Sequence, residues 1–313
     1  MCIFVAMKTI PFLLVIFTCF LGFCGIEGNT PLSKNQAIYT NNSLPYDRYF
    51  NDLAETGKFS GSVLIALPDT VFEQSYRLKG GPEDMSVASN FRYPIGEISH
   101  ILIRAAYFKL ADQGRITLNG PVKDYLPKLP QNETINYRMI LDHRAGLPEV
   151  LPKGQVLNEL NFRSQPGIEE HYSQLGYELL ATVLSERMGT TVNDALRILV
   201  LEPATMISTG VLNPNNAPGV FAKGFSDAGE NLAEVPLSEF PKNVIPEYYS
   251  TITDLFYLAQ WMPESAFLKG ELKQPGVRPG YRSYFYSNLE SNETKVVLSN
   301  YGGTNLVKVV RGL

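Results

Sequence analysis

Asn90-Phe91-Arg92-Tyr93-Pro94-Ile95-Gly96-Glu97-Ile98-Ser99-His100, continued by the run to Asp112-Gln113-Gly114, is the stretch around which this chain is organised. Pro94 and Gly96 stop whatever precedes it. Apolar residues then recur at helical spacing, at Ile98, Ile101, Leu102, Ala105 and Phe108, and Gly114 supplies a C-terminal stop. The pattern predicts a helix beginning at Gly96 or Glu97. The first turn of such a helix carries free backbone N–H groups and a partial positive charge, and reactive side chains are often held there. What this chain holds there is Glu97, with His100 one turn on.

On the N-terminal side, residues 47–56 read as a short amphipathic helix ended by Gly57. Residues 59–66 form an unbroken apolar run of the kind a buried strand shows. Residues 71–78 alternate and pair with that run across Pro68-Asp69-Thr70. On the C-terminal side, residues 115–129 read as turns with a brief helix. Helices are expected at 135–142, 174–188, 191–201 and 253–262, and turn-rich segments at 213–217 and 224–231. Residues 282–288 and 294–301 look like paired strands, and 304–311 like a last helix. Strands, a long helical middle and strands again make a mixed α/β (α+β) unit. Its antiparallel sheet is formed by N- and C-terminal strands and flanked by helices, with a helical subdomain inserted at about 97–262.

Bulk properties exclude several classes. The chain has 313 residues, 44% hydrophobic and 19% charged, with a net charge of −4 and no clustering of Lys and Arg. A real core is affordable, no repeat of solenoid period is visible, and neither nucleic acid nor an anionic membrane surface is implied as a partner. Met7-Lys8 before the apolar run Ile10 to Phe23 reads as a secretory signal peptide. The expected organisation is 1–24 signal peptide, 25–45 linker and 46–313 domain. An N-terminal anchor is the alternative, and the only membrane contact foreseen. All three cysteines (Cys2, Cys19, Cys24) lie in that first segment, so the domain itself has no thiol chemistry. Sequons stand at Asn41, Asn132 and Asn292 and matter only in a secretory pathway that glycosylates.

Five segments, in order, give the chain a family resemblance. Gly114-Arg115-Ile116-Thr117-Leu118 with Pro121-Val122 and Tyr125-Leu126-Pro127 is one. Leu141-Asp142-His143-Arg144-Ala145-Gly146-Leu147 is similar to an "LL-x-H-x-SGL" pattern. Pro166-Gly167 with Tyr172-Ser173-Gln174-Leu175-Gly176-Tyr177-Glu178-Leu179-Leu180 is similar to "PG…YSN-x-GY-x-LL". Glu202-Pro203-Ala204-Thr205-Met206-Ile207-Ser208-Thr209 and Ser250-Thr251-Ile252-Thr253-Asp254-Leu255 complete the set. Together they resemble the serine β-lactamases and penicillin-binding-protein-type hydrolases, in the branch with class C β-lactamases, D-alanyl-D-alanine carboxypeptidases and related esterases. The resemblance covers about Phe59 to Tyr301 and implies a β-lactamase/transpeptidase-like fold.

The family's chemistry rests on three motifs, and this chain departs from each. In Ser-x-x-Lys a serine attacks a carbonyl and a lysine one turn on helps take its proton. The register places Glu97 and His100 at those positions, and no Ser-x-x-Lys occurs anywhere in the chain. Tyr-x-Asn becomes Tyr172 with Gln174. The third motif, a cation-x-Gly on a strand, is best matched by Gln274-Pro275-Gly276, where Pro275 also removes a strand N–H. The resemblance thus implies Glu97, His100 and Tyr172 as inactive catalytic positions and Gln174, Gln274 and Gly276 as binding positions. A plainer reading of Glu97 and His100 is a surface pair extended by Arg104 on one stripe. A metal reading of the pair would need further ligands, and only His143 and His171 remain as histidines. His143 is expected to pack and His171 to stand at the cleft rim. No metal and no cofactor are expected. The function expected is that of an exported, periplasmic or extracellular, β-lactamase-related pseudoenzyme binding cell-wall peptide or another exported protein. The alternative is an active serine hydrolase with a non-standard site.

Overall fold

The computed structural model describes residues 37–39, 45–213, 220–229, 231–240 and 244–311. The expected signal peptide, its cysteines and most of the expected linker lie outside the described residues. In chain order the elements begin with β1 (Ala37–Tyr39), α1 (Pro45–Glu55), β2 (Gly61–Leu67) and β3 (Thr70–Tyr76). The middle holds β4 (Tyr93–Pro94), α2 (Ser99–Asp112), α3 (Tyr137–Leu141), α4 (Gln174–Met188), α5 (Val192–Leu196) and β5 (Gly210–Val211), then β6 (Gly224–Ala228), β7 (Asn231–Val235), β8 (Tyr248–Ser250) and α6 (Ile252–Trp261). The chain ends with β9 (Glu271–Arg278), β10 (Tyr281–Asn288), β11 (Glu293–Ser299) and α7 (Leu306–Arg311).

Both ends of the chain build one six-stranded sheet, in the order β1-β3-β2-β11-β10-β9. Every pairing in it is antiparallel except β1 with β3. β2 and β11 lie side by side at its centre, with Gly61 opposite Ser299 and Ala66 opposite Thr294. The near-continuous apolar sequence of β2, and Val296-Val297-Leu298 in β11, follow from burial on both faces. On one face Val63, Ile65 and Val297 meet Phe50 and Ala54 of α1 and Val309 of α7, with Phe59, Phe72 and Tyr76. Phe50 and Tyr76 stack there with ring centroids 5.7 Å apart. Burying each such side chain stabilises the fold by roughly 1.5–3 kcal/mol. On the other face α6 packs over β2 and β11.

The helix ends are set by local chemistry. Ser173, Thr191 and Thr251 accept bonds from the backbone N–H three residues on, at Gly176, Asp194 and Asp254, and so cap α4, α5 and α6. Gly189 closes α4 in the left-handed conformation, φ +63°.

Several segments differ from the sequence reading. Part of the expected 25–45 linker, Ala37–Tyr39, is a strand held by backbone pairing to β3. Residues 115–129 contain turns but no helix. Within the expected turn-rich segment 224–231, Gly224–Ala228 is instead the first strand of a hairpin, because β6 pairs with β7 beyond Gly229, whose φ is +66°. The segment between residues 97 and 262 is therefore not wholly helical: it also holds this hairpin and most of a three-stranded sheet, β4-β8-β5. β9 accommodates Pro275 because it is an edge strand of the sheet. Among the described residues no helix is long and apolar enough to cross a membrane.

Candidate active site

The approach to α2 is pinned from two sides. The Ile95 N–H donates to the Tyr248 carbonyl at 3.0 Å, and Ser283 Oγ donates to the Ile95 carbonyl at 2.9 Å. Residues Gly96–Ile98 then make one 3₁₀ turn before α2. Gly276 of β9 passes directly beneath. A Cβ at Gly276 would overlap Ser283 Oγ and the Ile95 carbonyl, so only glycine lets strand and helix start come this close. The approach brings the next residue, Val277, opposite Glu97.

The Glu97 carboxylate is fully engaged there. The Val277 N–H donates to Oε2 at 2.8 Å and Arg278 Nη1 donates to Oε1 at 2.5 Å. Arg278 Nε reaches Glu247 Oε2 at 2.6 Å, and the other Glu247 oxygen accepts from the Gly96 N–H at 3.2 Å. One guanidinium thus bridges two carboxylates at the mouth of the helix. Burial pushes the Glu247 carboxyl up against the opposing pull of Arg278. Burial also opposes the Arg278 charge, but Glu247 and Glu97 outweigh it and hold the guanidinium protonated.

His100 is not on a surface stripe: it is 4% exposed. Its ring stacks on Tyr177 at 4.4 Å and on Tyr172 at 6.0 Å. Burial, helped by the neighbouring His143 and Arg278, lowers its pKa to about 3, so the imidazole is neutral near pH 7. His143 does more than pack. It adopts φ +55°, its Nδ1 accepts from the Ser173 N–H at 3.1 Å, and its ring abuts Tyr172 and Tyr177 at 5.0 and 5.1 Å. Accepting at Nδ1 places the neutral ring's proton on Nε2. Burial and Arg104 lower its pKa to about 4. His171 pairs with Glu169 at 2.8 Å near the surface. Tyr172 is half-exposed, and burial and the nearby Glu97 raise its phenol pKa.

Arg104, expected to extend a surface pair, is 3% exposed. Its Nε donates to the Ala266 carbonyl at 2.5 Å, and Nη1 donates to the Leu141 carbonyl and to Asp142 Oδ1 at 2.9 and 2.8 Å. The Tyr177 hydroxyl donates to the same Leu141 carbonyl at 2.8 Å. The other Asp142 oxygen accepts from Arg138 Nε at 2.6 Å. These partners come from distant segments, which is why helical periodicity alone misplaced Arg104.

Two cavities meet at His100. The smaller, about 10 Å³, is lined by Glu97, Ser99, Gln174, Glu178, Ile245 and Arg278 besides His100. In it Gln174 Nε2 is committed to Glu178 Oε1 at 2.8 Å. The larger, about 140 Å³, lies between α2, residues 141–143 and the beginning of β9, and includes Gln274. Gln274 Nε2 folds back to the Pro275 carbonyl at 3.0 Å. So Glu97 and Gln174 share one cavity, Gln274 lines the other, and Tyr172 stacks on the histidine common to both. The proposed Glu97–His100 metal pair finds no third ligand: among the described residues no group of three or more His, Cys, Asp or Glu is placed to hold an ion. Chemically the arrangement offers a spent carboxylate, a neutral buried imidazole and a half-exposed phenol. Ser99, the hydroxyl nearest in sequence, is 4% exposed. Val277, Arg278, Glu247 and Asp142 escaped the sequence reading. The one signal for the first two was their position directly after Gly276 in the third motif.

A family model described as Beta-lactamase matches residues 46–259, more than half of the chain. A putative penicillin-binding protein, PbpX, of Bacillus subtilis (strain 168) is 27% identical over 127 residues, covering 37% of this chain and 32% of that protein. The chain spans between about a third and two fifths of the length of curated relatives it matches. Among solved structures, a class C beta-lactamase superposes with a TM-score of 0.71 at 14% identity, over 86% of this chain and 93% of that one. A penicillin-binding protein from Bacillus halodurans gives 0.67 at 17% identity, over 83% and 98%. These two likenesses establish the fold.

Proposed function

The chain belongs to the beta-lactamase family, and on that premise we propose that it is a pseudoenzyme of that family, exported and acting as a binding or regulatory protein. The observation that carries the reading is the state of Glu97. It stands where the family resemblance places the nucleophilic serine, and both its oxygens are bonded, to Val277 N–H and to Arg278. A carboxylate so held is a poor acyl acceptor. The residue at the lysine position, His100, is an uncharged imidazole buried in an aromatic stack. Acyl transfer needs an activated nucleophile with a base in reach; Glu97 is no such nucleophile, and an imidazole whose pKa lies at about 3 is a weak base. Export is supported by the apolar run after Met7-Lys8. The proposed partners are cell-wall peptide or another exported protein.

Incubation of the protein with a fluorescent penicillin and, separately, with a fluorophosphonate tests the reading by intact mass. No mass gain is expected from either reagent. Covalent labelling at any serine would overturn it in favour of a serine hydrolase with a non-standard site.

A further inference from the structure

We infer that the larger cavity is a binding site for a small zwitterion of amino-acid size, its carboxylate directed to the Arg104 end and its ammonium to the mouth. Glu97 does not line this cavity, and the inference does not depend on the loss of acyl transfer.

The buried end of the cavity carries an excess of positive charge. Arg104 and Asp142 line it, and Asp142 is shared with Arg138, which stands outside the cavity and is about a third exposed, so Asp142 offsets the Arg104 charge only in part. The Arg104 guanidinium is locked in place through Nε and Nη1, while its Nη2 is buried without a hydrogen-bond partner. His100, which lines this cavity as well as the smaller one, has its Nδ1 likewise buried and unpartnered. Both residues are more than nine-tenths buried. Buried polar nitrogens are nearly always bonded, and a carboxylate is the planar acceptor that a guanidinium edge fits. At about 140 Å³ the space exceeds what one water needs.

The outer end has the opposite character. Glu170 is exposed, Glu271 is about two-fifths exposed, and the one cation among them, Lys273, is tied to Glu271 at 3.1 Å. A plain anion entering would meet these carboxylates, whereas a ligand with an ammonium group at its trailing end would be attracted by them. Ile101, Leu141 and Leu272 supply the apolar walls between the two ends.

Isothermal titration of the full chain with glycine, alanine, acetate and methylammonium tests the proposal. Saturable binding of an amino acid is expected, with acetate weaker by about tenfold or more and methylammonium inert. Acetate binding as tightly as the amino acids would overturn the zwitterion assignment, and no saturable binding of any probe into the tens of millimolar would overturn the site. Ile101→Phe enlarges an apolar wall of the cavity while keeping Arg104 and Asp142 in the sequence, and should abolish binding. Should that variant not fold, charge reversal at exposed Glu170 (Glu170→Lys) serves instead: it should weaken the amino acid and strengthen acetate, and unchanged affinities for both would refute the proposed orientation.

Discussion

The Val277 amide donates to Glu97 Oε2 across 2.8 Å, so the β9 nitrogen facing the start of α2 is answered by a side chain of that same helix start. Replacing Glu97 by Ala leaves that donor and Arg278 without the carboxylate. The expected cost is about 1–3 kcal/mol, read as a lowered urea midpoint. Glu97→Gln keeps an acceptor oxygen and should lose less. Glu97→Ser restores a hydroxyl but not an effective base, because burial lowers the His100 pKa to about 3 and leaves its imidazole a weak proton acceptor, so it should remain unlabelled by fluorescent penicillin.

Arg104 and Asp142 form an ion pair with side-chain exposures of 4% and 8%. Removing one partner of such a pair strands a buried charge. Asp142→Ala is expected to destabilise the protein by about 3–5 kcal/mol. The double replacement Arg104→Met, Asp142→Leu should recover a large part of that loss. Denaturant titration of the single and double variants measures both.

Acid should destabilise this protein through its buried imidazoles. His100 and His143 titrate at about 3 and about 4 in the folded chain, against about 6.5 for an exposed histidine. Between about pH 6.5 and those values the unfolded chain binds more protons. Stability therefore falls as pH is lowered, by about 1.4 kcal/mol per pH unit for each histidine. The buried carboxyls of Glu247 and Asp254, whose pKa values are raised, act in the opposite sense. The imidazole part is best read as the difference between the parent and a His100→Phe variant, whose stability should depend less steeply on pH over that range.

Gly276→Ala should be costly out of proportion to one methyl group. The added carbon meets the Ile95 carbonyl and Ser283 Oγ, neither of which can retreat without breaking the hydrogen bond between them. An overpacking loss of about 1–3 kcal/mol is expected in thermal or chemical unfolding. Gly280→Ala, at a φ of +75°, is also strained but lies outside this junction. It should leave ligand binding in the neighbouring cavity untouched, whereas Gly276→Ala should perturb it.

How much of this could be read from the sequence varies with how local the determinant is. Residues 174–188 were read as a helix with both ends correct, because Ser173 and Gly189 sit at its limits and act within a few residues. Of the central strands, β2 is legible from the unbroken apolar run at 59–66, and β11 as the second of two strands paired across residues 289–293. β9 was reached only through the third-motif resemblance, since Glu271, Lys273 and Pro275 give it no apolar alternation and its strand character comes from pairing with β10. The hairpin of β6 and β7 was hidden behind Gly224, Gly229 and Asn231 for the same reason. At the site, Glu97, His100 and Tyr172 are singled out by the register of the family resemblance. The bonds that define Glu97 come from residues 180 and 181 positions away, and no local pattern carries that information.

The sheet's central seam joins residues 61–66 to residues 294–299. A nascent chain therefore carries β2 with one flank unsatisfied until β11 has been made, and closing that seam means bringing together segments more than two hundred residues apart. Folding of this kind is slow and late. A chain truncated before Glu293 would lack not a peripheral strand but the one that joins the sheet's two halves, and its exposed β2 edge would be the place where such fragments aggregate.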